Sequence, residues 1–315
     1  MALCGLLVTF VACSDDDDNS NAGKTIAQIA TSTGDLSILV VALDRADLVE
    51  TLNGTTNYTV FAPNNAAFTA FLQANGFANL DAVPVSALKE ILLNHVIAGE
   101  VTSNQLTTSY VKTLGKGSAS ATNTLSMFVN TSSGVVLNGG TTNGGATVTA
   151  ADIQASNGVI HLVNAVIGLP TVVNHSIANP NFSILVQALT RNDQPDFAGI
   201  LSGSTNSPFT VFAPTNAAFV SLLGELNLAS LNDVPQETLE KTLKYHVVTG
   251  ANVLSTSLTN GMSVATFAGD PFTINLTGGA KITDANGRIS NIIATDVQAS
   301  NGVIHAVDKV LLPNP

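Results

Sequence analysis

The chain has 315 residues, more than one ordinary domain needs and enough for two. It is 45% hydrophobic but only 10% charged, against roughly a quarter charged in an average soluble domain; Thr, Asn, Ser, Ala and Gly stand in place of the charges. A net charge of −11 with no basic stripe excludes a nucleic-acid backbone as partner, and two cysteines confined to positions 4 and 13 exclude a disulfide framework for the body of the protein.

In chain order, Leu3–Val11 is a short apolar run followed by Ala12-Cys13. Such a run is too short to span a bilayer and matches the apolar stretch of a secretory signal. A small residue before a cysteine at its end resembles the cleavage and lipidation site of bacterial lipoproteins, whose cysteine becomes the acylated first residue. Ser14 and the acidic run Asp15–Asp18 resemble the export signal that sends Bacteroidetes lipoproteins to the outer face of the outer membrane. The resemblance implies a lipid anchor at Cys13, a place at the bacterial cell surface, and membrane contact through that lipid only. Residues 19–23 (NSNAG) read as a flexible tether, so residues 1–23 form signal, anchor and tether.

Next comes a helical pattern. Leu36, Leu39, Val40, Leu43, Val49 and Leu52 keep roughly helical spacing, and Asn53-Gly54 ends the run. Tyr58–Phe61 reads as a buried strand stopped by Pro63. Asn64 is a cap for a helix over Ala66–Leu72. Leu88, Leu92, His95 and Val96 predict one face of a further helix entered through Val83-Pro84. From Val101 the pattern changes to short alternating runs (SMFVN, GVVLN, ATVTA) separated by Gly and Asn. A last pair, Asp152–Gln154 and Val159–Val163, is joined through Ala155-Ser156-Asn157-Gly158.

The whole series then recurs. YTVFAPNNAAF at Tyr58–Phe68 returns as FTVFAPTNAAF at Phe209–Phe219, nine of eleven identical. DIQASNGVIHLV at Asp152–Val163 returns as DVQASNGVIHAV at Asp296–Val307, ten of twelve identical. Leu88–Gly99 matches Leu239–Gly250 more loosely, and SILVVAL from Ser37 aligns with SILVQAL from Ser183. In the second copy Thr215 replaces Asn64 and keeps the capping oxygen; FTINL and KITDANGRIS are its alternating runs, with Asn286-Gly287 a hairpin turn. A repeat this long is a duplicated domain, not a solenoid. Domains at residues 24–170 and 171–313 follow, with Thr171 opening the second where Thr25 opens the first. With almost no linker between them, they should hold a preferred orientation. Each reads as helices followed by a β-meander that the early strand joins, an α+β fold around a β-sandwich or open barrel.

The TVFAPNNAAF and NGVIHLV segments, with an HV segment between them and all three found twice, resemble the signature of the fasciclin domain family. The resemblance implies two tandem fasciclin-like domains, each a wedge-shaped β-sandwich with helices packed on one side, and a role in cell adhesion or surface attachment. Animal members bind integrins through residues near a Tyr-His pair and an Asp-Ile pair. Tyr245-His246 matches the first, where repeat one has Asn94-His95; Asp152-Ile153 matches the second, with Asp296-Val297 as its variant. These six residues are the candidate adhesion contacts.

Catalysis finds no support. Four of the five histidines, His95, His161, His246 and His305, recur at matching positions, on an apolar helix pattern or inside apolar strands; His175 replaces Ile29. That setting fits neutral core histidines bonded to backbone or carboxylate, and no HExxH, paired histidines or Cys-His site points to a metal. No nucleophile elbow or phosphate-binding loop occurs, so no catalytic residue and no cofactor is expected. Asp beside a strand turn more often caps backbone N–H groups than reacts. Two functions remain: attachment to a surface protein or polysaccharide, and glycan binding as an accessory lipoprotein of a polysaccharide uptake system. The absence of Trp argues against the second.

Overall fold

The computed structural model describes Asn21 and residues 23–315; Cys4, Cys13 and Asp15–Asp18 lie outside the described residues. The first domain runs α1 (Ile26–Ser32), α2 (Ser37–Arg45), α3 (Val49–Asn53), β1 (Tyr58–Pro63), α4 (Asn65–Ala74), α5 (Val85–Leu93), β2 (Val96–Ala98), β3 (Ser109–Lys116), β4 (Thr124–Asn130), β5 (Val136–Leu137), β6 (Ala146–Ala155) and β7 (Gly158–Val163). The second follows with α6 (Val172–Ala178), α7 (Ser183–Leu189), α8 (Phe197–Ser202), β8 (Phe209–Pro214), α9 (Asn216–Glu225), α10 (Gln236–Tyr245), β9 (Val247–Thr249), β10 (Ser263–Ala265), β11 (Pro271–Asn275), β12 (Lys281–Thr283), β13 (Ile289–Ala299) and β14 (Gly302–Val307). The α+β expectation holds in both.

Local chemistry sets the helix starts. The Thr25 and Thr171 side chains accept from the backbones of Gln28 and Asn174, whose own side chains reach back to complete capping boxes. Asn64 accepts from Ala67 N–H and Thr215 from Ala218 N–H, so the exchange does keep the cap. The early helical run, expected as one, is broken. Ala46 leaves the helix, Asp47 turns left-handed at φ 56°, and α3 starts afresh. The spacing survives because all the pieces lay apolar residues on the same strands. Likewise His95 and Val96 are not on a helix face. The α5 helix ends at Leu93, and Val96 already opens β2.

In each domain the early strand lies parallel to the last one: β1 pairs with β7 and β8 with β14. Side-chain alternation along it divides the core in two. Val60 and Ala62 face the helices, packing with Leu39, Leu43 and Leu88, while Phe61 faces the barrel interior with Met127 and Leu137. Val211, Ala213 and Phe212 repeat this division. The seven strands of the first domain close into a barrel, whereas those of the second form an open sheet ending at β9 and β10.

Candidate binding site

The Asp152 and Asp296 segments are β-bulges. β6 slips register against β7 between Ala150 and Ile153, and β13 slips against β14 between Ala294 and Val297. The bulged residue itself is left-handed, at φ 63° for Asp152 and 60° for Asp296, a conformation Asp tolerates better than most residues.

A histidine on the neighbouring strand holds each bulge. His161 stacks on Phe61, its Nδ1 accepts the Asp152 N–H at 3.2 Å, and its Nε2–H donates to the Val101 carbonyl at 3.0 Å. One acceptor and one donor define a neutral ring. The Asp152 carboxylate in turn accepts the Ser103 N–H at 2.7 Å and the Ser103 hydroxyl. That hydroxyl is the main reason the carboxyl titrates below its usual range. Bulge, histidine and the loop after β2 are thus one hydrogen-bonded unit. The second domain repeats it: Asp296 N–H on His305 Nδ1 at 3.4 Å, His305 Nε2–H on Val253 O at 2.8 Å, and Ser255 N–H and hydroxyl on the Asp296 carboxylate. Ser103 and Ser255 were missed in the sequence, although each stands two residues after a repeated Val and repetition alone could have found them.

The Tyr-His pair lies elsewhere. Tyr245 ends α10, fully buried, its hydroxyl donating to Pro271 O and accepting from Ala285 N–H. His246 is also buried; its Nδ1–H meets Thr242 O and its Nε2 accepts the Leu311 N–H, while burial pushes its pKa down to about 4. His95 repeats this bonding with Ile91 and Ile167. As folded, Tyr245 and His246 present no surface to a ligand, which corrects their reading as direct contacts. Their place at the end of an apolar helix pattern was the signal for burial. Among the described residues no cluster of His, Cys, Asp or Glu could hold a metal ion.

The two bulges differ in what covers them. The Lys112 ammonium of the first domain donates to the Asp296 carbonyl at 2.8 Å and to Ser126 Oγ at 3.0 Å, and Ser126 Oγ accepts the Gln298 N–H at 3.0 Å. Ala119 N–H bonds to Ser300 O at 2.9 Å. Val297, Gln298 and Ala299 are buried, whereas Asp152, Gln154 and Ser156 are exposed and Ile153 is half-buried. Of the candidate contacts Asp152 alone is exposed; Ile153 and Asp296 are half-buried, and Val297, Tyr245 and His246 are buried. Lys112 and Ser126 went unnoticed in the sequence because neither recurs in the second repeat.

A closed barrel and an open sheet, each flanked by helices and each with its bulge pinned by a strand histidine, make the chain a tandem α+β domain pair. The fasciclin domain model matches residues 34–170 and 180–313, and the chain belongs to that family. It is 34% identical over 148 residues to protein sll1483 of Synechocystis, covering 47% of this chain and 75% of that one. It is 27% identical over 300 residues to the transforming growth factor-beta-induced protein ig-h3 of Sus scrofa, covering 94% of this chain but 40% of that protein. Among solved structures, a FAS1 domain pair from the insect cell adhesion molecule Fasciclin I shares the fold at 20% identity and a TM-score of 0.51, with 87% of this chain and 95% of that chain covered.

Proposed function

We propose that this protein is a non-enzymatic attachment protein of the bacterial cell surface, held to the outer membrane by a lipid on Cys13 and presenting its domain pair outward. Family membership supports the adhesive role. The observation that carries the choice of site is the unequal covering of the two bulges, which favours the Asp152-Ile153 surface of the first domain as the ligand-facing copy. Asp296-Val297 then serves the contact between domains, and Tyr245-His246 shapes the second domain from inside.

The test separates charge from scaffold. Asp152→Asn keeps size and one acceptor for Ser103, so the melting temperature should fall by only a few degrees while cell or surface attachment drops. Asp296→Asn should leave attachment unchanged. Equal loss in both variants, or loss only in step with stability, removes the ligand-facing role from Asp152. A screen of residues 24–315 against matrix proteins, glycans and whole cells decides between a protein and a polysaccharide ligand. The anchor is tested apart: Cys13→Ala should release the protein from the membrane fraction, and fatty-acid labelling that persists in Cys13→Ala refutes it.

A further inference from the structure

The contact between the domains shows what the open bulge lacks. In a two-residue hairpin the pair flanking the turn exchanges backbone hydrogen bonds, and the next pair points its N–H and C=O groups outward. Ala299↔Gly302 and Gln298↔Val303 are those pairs in the second domain, Ala155↔Gly158 and Gln154↔Val159 in the first. The Gln298 N–H, so directed, meets Ser126 Oγ; on the same edge the Asp296 carbonyl meets Lys112 and the Ser300 carbonyl meets Ala119 N–H. A β3–β4 hairpin therefore satisfies the outer edge of β13 at three successive points.

The same edge of β6 has no such cover. β5 pairs with β6 only at Ala146 and Thr147. Beyond that, among the described residues, no strand or side chain takes the place of Ser126 beside Gln154 or of Lys112 beside Asp152. The inner half of the arrangement is nonetheless retained: Ser156 N–H bonds to Lys24 O as Ser300 N–H bonds to Pro170 O. An edge with outward N–H and C=O groups is a template for a further strand. A second copy of this chain does not supply one readily. Lys112 and Ser126 are cross-strand partners on β3 and β4, and the pair Ala265 and Pro271 at the end of the β10–β11 ladder offers neither ammonium nor hydroxyl.

We propose that the first domain binds its partner along the outer edge of β6, the partner being an extended protein segment that brings a lysine side chain to the Asp152 carbonyl and a hydroxyl side chain to the Gln154 N–H. This rests on the attachment reading above and names its chemistry. Side-chain hydrogen bonds to the main-chain groups of the edge supply affinity, as they do on β13, and the exposed Asp152 carboxylate favours a basic segment.

The probe is a cyclised hairpin peptide carrying the sequence of residues 109–130, added to the mature protein while amide hydrogen exchange is followed. The Gln154 amide should exchange at least tenfold faster than Gln298 in the free protein and slow at least tenfold with saturating peptide. A peptide with alanine at the Lys112 and Ser126 positions should lose most of that protection. Gln154 already as slow as Gln298 shows the edge covered by the chain itself and overturns the proposal; so does millimolar peptide that leaves Gln154 unprotected, or binding that protects other amides instead. The attachment assay answers separately: loss of attachment in Asp152→Asn without peptide protection sinks docking on the β6 edge and spares the adhesive role, and protection without loss of attachment does the reverse.

Discussion

Four of the five histidines have one ring nitrogen donating and the other accepting, so each is held neutral by backbone geometry. His175 is the exception. It is fully buried on α6, edge-on to Tyr110 of the first domain at 5.5 Å, with neither ring nitrogen hydrogen-bonded. The Gln298 backbone lies near enough to favour a protonated ring, but without hydrogen-bond geometry, and Lys112 opposes protonation. Burial pushes His95, His175 and His246 down to about 4 from an ordinary 6.5. The unfolded chain therefore takes up protons that the folded one refuses. The histidines' contribution to stability is complete above about pH 6.5 and declines as pH falls towards 4, by up to a few kcal/mol per histidine. His175→Ile restores the side chain that Ile29 provides in the other copy. It should raise stability by about 1 kcal/mol at pH 7 by removing an unpaired buried polar group, and flatten the decline between pH 6.5 and 4. Denaturant titrations at pH 7 and pH 5 check both; an unchanged slope would mean that His175 contributes nothing to it. The sequence showed His175 as the odd one out, but not that another domain buries it.

At the scale of elements, caps and turns were the most legible features because their chemistry is local. Thr25, Thr171, Asn64 and Thr215 act where their side chains predict, and Asn286-Gly287 turns between β12 and β13 with Gly287 at φ 74°. What spacing could not show was where a helix breaks without changing which side its apolar residues face, as at Asp47. Nor did it reveal β3, whose Tyr110 and Lys112 look outward to the second domain and so blur the alternation of a one-sided strand. The caps give an additive prediction. Asn64→Ala and Thr215→Ala should each cost about 1 kcal/mol, and the double variant about twice that, since the sites lie in separate domains. Chemical denaturation of the three variants measures it. A cost confined to one copy would show that the other helix is held by packing alone.

At the scale of the molecule, sequence comparison finds the two domains but is blind to their contact, because repetition records what the copies share and the contact uses what they do not. Asn143 and Asn174 exchange side-chain-to-carbonyl hydrogen bonds across it, and Tyr110 reaches the His175 carbonyl at 3.4 Å. Closest of all is Gly117, where an added Cβ would lie 2.3 Å from Ser300 Cα. Backbone meets backbone there, so no side chain can swing aside. Gly117 sits in the turn between β3 and β4, away from the buried core of the first domain, and Gly117→Val should leave that domain folded while forcing the pair apart. Losing the registry of Lys112, Ser126 and Ala119 with β13 would expose Val297 and Gln298 and give the second bulge the open edge that the first already has. Small-angle scattering should show a larger radius of gyration, and the Gln298 amide should exchange at a rate close to that of Gln154. If the radius and the Gln298 rate both stay as they are, the turn has yielded locally and the contact rests on Lys112 and Tyr110. In that case Lys112→Ala, which removes a partly buried ammonium and its bonds to Asp296 and Ser126, becomes the variant that opens the pair.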